Sequence, residues 1–408
     1  MGHAPEHEPH TAQPHTTVDQ HAARVRSLLA RAMATGTERV PLPDALGRVT
    51  AAAVLSPVDL PLFRNSQMDG FAVRAADLRE GDTILPLLGE IPAQRGTPEP
   101  LMPSTTVRIM TGAVVPEGAD AVVPVEDATV DGSLVTIHRP RRSGEYVRDR
   151  GSDVLAGTEL LPSGQRLASR HLAVLAAAGI GDVEVRSRVR VVVITTGAEL
   201  VDPGQPVDDG QIYDANGIAL EAALRACGAE IVASIRNTND DADQLHDAML
   251  AAAAGADVIL TSGGISMGEH EVVRDVMLPL GGRIGHIAMQ PGGPQATGSF
   301  EGVPVISFPG NPVSTQISFE VFVAPLLRRV AGLPAATRAP RTLVADVSSI
   351  AGKRQFLRGR TVEGGRVEVV AGPGSHLVAG LAASDVLIDI PETTTDLKAG
   401  DTVETIEL

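Results

Sequence analysis

Three short runs in the middle of the chain end in residue types suited to holding ions. Thr195-Thr196-Gly197-Ala198-Glu199 delivers a carboxylate directly after a glycine turn. Thr261-Ser262-Gly263-Gly264-Ile265-Ser266 strings backbone N–H groups along a stretch with little side-chain obstruction, a nest suited to phosphate or another oxyanion. Ser307-Phe308-Pro309-Gly310-Asn311-Pro312 carries two prolines and a glycine within four positions, fixing an unusual backbone that a mere connection does not need. Asp69, Glu199, Asp240 and Glu271 are hard oxygen donors of the kind that hold Mg²⁺. Any one of them, taken alone, reads as a solvated surface charge or a helix cap.

The elements that must position these groups follow from the pattern around them. Each run is preceded by a strand-like apolar stretch, at 191–194, 258–260 and 303–306. Helix-length segments lie between. Asp214 and Asn216 offer cap oxygens ahead of Ile218, Leu220, Leu224 and Cys227, with Gly228 past the end. Asp240 and Asp241 open the next helix, and residues 313–331 form a long amphipathic one. Strand, helix, strand at this spacing is the βαβ unit, so 188–335 reads as an α/β domain with a parallel-type sheet. Ligands of open sheets settle at the strand carboxyl ends, where the three polar runs fall.

Outside this region the texture changes. Residues 1–17, with His3, His7, His10 and His15, read as a disordered tail. Apolar spacing predicts a helix over 18–34 and a second over 44–55. Short β-prone runs split by Gly and Pro make 57–151 a small β-rich domain. Residues 167–178 return to helix with Gly179 as its cap. Beyond 340, short strands predict a separate β-barrel or sandwich over 336–408.

Composition bounds the function. The chain has 408 residues, enough for several domains, and 43% hydrophobic residues with only 2% aromatics and no Trp. A formal net charge of −16 argues against nucleic acid as a partner, because phosphate backbones demand a basic surface. Cys227 is the only cysteine, which excludes an internal disulfide and fits a reducing compartment. No run approaches the roughly 20 apolar residues of a membrane span, and no secretory h-region opens the chain, so the expected location is cytoplasmic.

Five stretches together resemble the MoeA/gephyrin-E family of molybdenum insertases, the molybdopterin molybdenumtransferases. They are Asn65-Ser66-Gln67-Met68-Asp69-Gly70-Phe71-Ala72, Arg108-Ile109-Met110-Thr111-Gly112-Ala113, Thr195-Thr196-Gly197-Ala198-Glu199-Leu200, Thr261-Ser262-Gly263-Gly264-Ile265-Ser266 and Phe308-Pro309-Gly310-Asn311-Pro312. The resemblance covers roughly residues 20–400. It implies four domains: a discontinuous helical domain from 18–56 and 152–187, the β-rich domain inserted within it, a molybdopterin-binding α/β domain, and a C-terminal β-barrel. It implies a homodimer whose active cleft lies between subunits. The implied reaction inserts molybdate into adenylylated molybdopterin with Mg²⁺-dependent release of AMP. The implied catalytic set is Asp69, Thr111, Glu199 and Asp240, with Glu199, Asp240 and Glu271 as Mg²⁺ ligands. Thr261, Ser262, Gly263, Gly264, Ser266, Pro309, Gly310, Asn311 and Pro312 would cradle the pterin phosphate or adenylate. Gln290, Arg354 and Arg358 would face the anionic substrates. Further implied partners are the adenylyltransferase and the recipient molybdoenzymes.

Two motifs depart from the family pattern. Its basic motif, Lys-Pro-Gly-Lys-Pro in many bacterial members, stands here as Gln290-Pro291-Gly292-Gly293-Pro294, without either cation. Its Gly-Glu-x-Asp motif stands as Gly268-Glu269-His270-Glu271. Alternatives to the insertase are therefore a catalytically silent molybdopterin-binding or scaffold paralogue, and a tungstate-inserting enzyme.

Overall fold

The computed structural model describes residues 16–34, 36–237, 241–265 and 271–408. The tail expected over 1–17 lies outside them except for Thr16 and Thr17, which are built into the fold. Thr17 caps the first helix, α1 (Val18–Leu28), by accepting from the Gln20 N–H, and the Thr17 N–H donates in return to Gln20 Oε1 in a capping box. Thr16 bridges to Ile287.

The chain divides into two compact units, one made of 38–185 and the other of 1–37 with 186–408. The first contains a six-stranded sheet of β1 (Gly70–Val73), β2 (Thr83–Ile91), β3 (Thr106–Ile109), β4 (Ala121–Pro124), β5 (Ala128–Asp131) and β6 (Leu134–Ile137), in the order β4-β1-β3-β2-β6-β5. Residues 44–55, expected to be helical, are not. Leu42–Asp44 makes one 3₁₀ turn, and then Val49 and Thr50 bridge to Arg166 and Val185. Thr50 and Val49 are β-branched and strand-prone, and tertiary pairing here overrides a local helical spacing. Of 152–187, α2 (Ser169–Ala177) is helical. The region expected to be a helical domain therefore pairs short strands, as in Glu159–Leu161 against Val54–Leu55.

The second unit is organised on another six-stranded sheet. Its strands are β7 (Arg190–Thr196), β10 (Glu230–Asn237), β11 (Val258–Ser262), β12 (Arg283–His286), β14 (Pro294–Phe300) and β15 (Val303–Phe308), in the order β10-β7-β11-β15-β14-β12. The first three pairings are parallel, and the last two antiparallel. Between them run the two-residue strands β8 (Leu200–Val201), β9 (Ile212–Tyr213) and β13 (Met289–Gln290). Alternate strand residues enter two apolar layers. Val191, Val193, Val258, Leu260, Ile306 and Phe308 pack with α1, α3 (Ala215–Ala226), α6 (Pro312–Phe322) and α7 (Ala324–Val330). Val192, Ile194, Ile259 and Val305 pack with α4 (Ala242–Ala253) and α5 (Val272–Met277). Burial on both faces is why these strands read as unbroken apolar runs. Cys227 is buried in the first layer, and burial pushes its thiol pKa up to about 11, which suits packing rather than reactivity.

A third sheet, in the C-terminal part, holds β16 (Arg338–Thr342), β17 (Arg354–Val362), β18 (Arg366–Val369), β19 (Val386–Ile390) and β20 (Thr402–Glu407), ordered β13-β17-β19-β20-β16 with β18 on β17. It curls until Leu343, just past β16, bridges to Val367 of β18. Among the described residues no helix is long and apolar enough to cross a membrane.

Leu260 sits at the centre of the second unit and is fully buried. Leu260→Ala is expected to lower the unfolding free energy by about 2–5 kcal/mol, measured by chemical denaturation, without altering the far-UV spectrum.

Candidate active site

The carboxyl ends of β7, β11 and β15 open into a cleft of about 460 Å³. Its walls bring together all three polar runs: Glu199 from the turn after β7, Ser262, Gly263 and Gly264 after β11, and residues 309–312 after β15. Glu271, just ahead of α5, lines it too. Parallel register makes this convergence unavoidable, since Thr195 pairs with Ser262 and Ser262 with Phe308.

The glycines at 263 and 264 are required by position. Gly263 has φ +91°, and a Cβ there would stand 2.6 Å from the Thr196 carbonyl oxygen. Gly264 has φ +67°, and its Cβ would stand 2.9 Å from both the Thr196 hydroxyl and a Val273 methyl. Only a residue without a side chain turns here with the backbone pressed on β7. The third run is locked by α6, whose first residue is Pro312, a favoured helix start. Thr315, one turn in, donates its hydroxyl to the Pro309 carbonyl at 2.6 Å.

Of the two residues expected to cap α3, Asp214 does so, accepting from the Gly217 N–H at 2.9 Å and from the Thr195 hydroxyl at 2.6 Å. Asn216 instead reaches across the cleft floor. Its Nδ2 donates to Ser262 Oγ at 2.9 Å and to the Gly310 carbonyl at 2.7 Å. The Gly310 carbonyl can only accept, which sets the orientation of the amide. The signal available in the sequence was the redundancy: a second cap residue two places after the first.

The other expected site residues that the structure describes do not line the cleft. Thr261 is fully buried within β11, and Asp240 and Ser266 lie outside the described residues. Gln290 and Gln355 pair across β13 and β17, the Gln355 Nε2 donating to Gln290 Oε1 at 2.6 Å. A side chain at Gly293 would meet the exposed His286 ring, 2.9 Å from its Cβ. Arg354 forks onto Asp389, with Nε to Oδ1 and Nη2 to Oδ2 both at 2.7 Å, and also meets Asp19 at 3.1 Å. Arg358 is 2% exposed and donates to the carbonyls of Gly372, Gly374 and Leu377. The structure thus gives both arginines protein partners in the C-terminal part of the chain, and neither lines the cleft.

The 38–185 unit carries a second constellation. Asp69 and Thr111, 42 residues apart, meet at the ends of β1 and β3. Asp69 Oδ1 accepts from the Thr111 N–H and the Thr111 hydroxyl, each at 2.7 Å. These two bonds, the backbone one foremost, hold the Asp69 carboxyl below the usual aspartate range, with Arg108 adding to the effect.

Among the described residues no group of three or more His, Cys, Asp or Glu side chains is placed to hold a metal. Mg²⁺ does not need one: it is commonly bound by one or two carboxylates completed by water and substrate phosphates. Glu199 and Glu271 on the cleft wall supply that number. A glycine nest flanked by two carboxylates repels a phosphate unless a cation sits between them, so the donor set fits Mg²⁺.

Among known proteins, residues 16–179 match the MoeA N-terminal region (domain I and II), 192–329 a probable molybdopterin binding domain, and 341–408 the MoeA C-terminal region (domain IV). Molybdopterin molybdenumtransferase 2 of Mycobacterium tuberculosis is 42% identical over 383 residues, covering 90% of this chain and 94% of that protein. The molybdopterin molybdenumtransferase of Haemophilus influenzae is 34% identical over 401 residues, covering 96% and 98%. The crystal structure of a molybdopterin biosynthesis MoeA protein from Pyrococcus horikoshii superposes with TM-score 0.76 at 33% identity, covering 94% of this chain and 98% of that one.

Two outcomes follow from the geometry. In a carboxyl-resolved NMR titration, Asp69 is expected to titrate below an ordinary aspartate, and Thr111→Val to move it upward while the backbone bond keeps it below that range. Because the folded-state pKa is depressed, the stabilisation it brings is present above the unfolded-state pKa and is lost as pH falls through the folded value. Gly263→Ala is expected to cost about 1–3 kcal/mol in thermal or denaturant unfolding, from the left-handed φ and the contact with Thr196 together.

Proposed function

Because the chain belongs to the MoeA family of molybdopterin molybdenumtransferases, we propose that its cleft binds adenylylated molybdopterin, inserts molybdate into it and releases AMP in the presence of Mg²⁺. The chain is an enzyme of molybdenum cofactor biosynthesis. The observation that carries the finer reading is the meeting of Gly263 and Gly264 with Glu199 and Glu271 in one cleft.

The roles follow from the chemistry of the groups. The Gly263 N–H is spent on the Phe308 carbonyl at 3.1 Å, so it is the Gly264 N–H that donates to phosphate oxygens, unobstructed because neither glycine has a side chain. Ser262 Oγ and the Gly310 carbonyl are held in place through Asn216, and Thr315 ties Pro309, so the loop enters the reaction already shaped. Glu199 and Glu271 would hold Mg²⁺, which neutralises phosphoanhydride charge when bound. Glu199 also accepts a hydrogen bond from the water that adds to the pterin-side phosphorus of the anhydride; the bond from that phosphorus to the bridging oxygen breaks, AMP leaves with that oxygen, and the water's proton passes through Glu199 to the departing phosphate. Asp69 and Thr111 belong to the same reaction, carried out by a homodimer. Gln290, a neutral residue already paired with Gln355, leaves the anionic substrate to be met by N–H donors and the cation.

Purified protein with adenylylated molybdopterin, molybdate and Mg²⁺ tests this by chromatography of AMP. Release is expected to require molybdate and Mg²⁺, and to fall roughly 10²-fold in Glu199→Gln. Tight binding of the pterin without AMP release identifies a silent binding protein instead, and tungstate in place of molybdate shows which oxyanion is used.

A further inference from the structure

One wall of the cleft is apolar and takes no part in the chemistry above. β8 and β9 form a parallel ribbon in which Leu200 pairs with Ile212, and Val201 with Tyr213. Paired residues of neighbouring strands share a side. Leu200, Ile212 and Tyr213 all line the cleft, whereas Val201 does not, so Leu200 and Ile212 supply the aliphatic part of this wall with the Tyr213 ring next to them in sequence. Ile212 is 55% exposed, a β-branched apolar residue left bare on the cleft wall.

The ribbon is firmly placed. The Ile212 N–H donates to the Glu199 carbonyl at 2.8 Å, and the Asp214 N–H to the Val201 carbonyl at 2.9 Å. Tyr213 donates its hydroxyl to the Gln205 carbonyl at 3.0 Å, tying down the loop that joins the two strands. Asp214, the next residue, caps α3 and accepts from Thr195 at the end of β7. The wall is therefore fastened to the same strand end that carries Glu199.

Resting on the cleft reading above, we propose that the Leu200–Ile212 ribbon is the surface on which a planar nitrogen heterocycle of the ligand lies while its phosphate occupies the Gly263–Gly264 nest. A flat ring buries exposed aliphatic surface over its whole face, and its edge nitrogens stay free for polar neighbours. Adenine and pterin share this chemistry. A cleft of about 460 Å³ holds a ligand of nucleotide size. An extended alkyl chain is a poorer match, because the apolar wall is two residues long in each strand and polar groups surround it.

The chain has no Trp and only two tyrosines, so emission from a Tyr146→Phe background reports Tyr213 alone. Phe keeps the ring that Tyr146 sets against Arg141. In that background, AMP, 6-hydroxymethylpterin phosphate and ribose 5-phosphate are titrated with Mg²⁺, without and with Ile212→Asn. At least one ring-bearing phosphate is expected to bind more tightly than ribose 5-phosphate. Ile212→Asn, which removes the aliphatic surface without adding charge, is expected to weaken that ligand about 10-fold, leaving ribose 5-phosphate within about twofold. The arm that responds identifies the ring. Leu200→Ala, a milder change, is expected to act in the same direction. If neither ring-bearing ligand depends on Ile212, or ribose 5-phosphate weakens as much as AMP, the ribbon is not the ring's surface although the phosphate site stands. If the unsubstituted background binds none of the three, the cleft reading has failed and the ribbon assignment with it.

Discussion

A single side-chain amide joins the three segments on which the cleft depends. Asn216 in the first turn of α3 holds the hydroxyl that ends β11 and the carbonyl that follows β15, and its own helix is capped by a residue bonded to the end of β7. Each of these segments could turn in many ways on its own. Shared hydrogen bonds in a poorly hydrated place remove those alternatives, since a lost partner leaves a buried polar group uncompensated. The phosphate nest and the Pro309–Pro312 loop are thereby one object rather than two neighbours.

That object stands on a sheet whose two faces are both apolar. Alternation along β7, β11 and β15 sends side chains into separate layers, so the strands cannot slide by one residue without exchanging their burial partners. Register is fixed by packing, and register determines which residues emerge at the strand ends. Thr195, Ser262 and Phe308 stand level for that reason. The precision of the polar groups is inherited from the apolar ones beneath them.

The parts visible in the sequence were those governed by local rules. Unbroken apolar runs marked the doubly covered strands, and Gly-Gly and Pro-Gly-Asn-Pro marked the turns after them, because few residue types tolerate such backbones. Long-range pairing left weaker traces. Residues 44–55 show helical spacing, yet Val49 and Thr50 are claimed by Arg166 and Val185, more than a hundred positions away. The antiparallel strands β12 and β14 are partly polar, and nothing nearby in the chain marked them as extensions of a parallel sheet. Arg354 was available as a substrate cation in sequence, but Asp389 on the adjacent strand occupies its fork. Spacing discloses which charges exist; only the fold discloses which are spent on each other. Asp69 and Thr111 are the opposite case, two separate motif residues that do meet.

The two carboxylates beside the phosphate nest also bear on how fast a ligand arrives. Glu199 and Glu271 share a cleft in a chain whose formal net charge is −16. A polyanion diffusing toward them moves uphill in potential, the reverse of the steering that speeds many enzymes. Dissolved salt shortens the reach of that repulsion, to about 8 Å at physiological ionic strength. Association with this cleft should then quicken as ionic strength rises, until counter-ions begin to compete for the oxygens themselves.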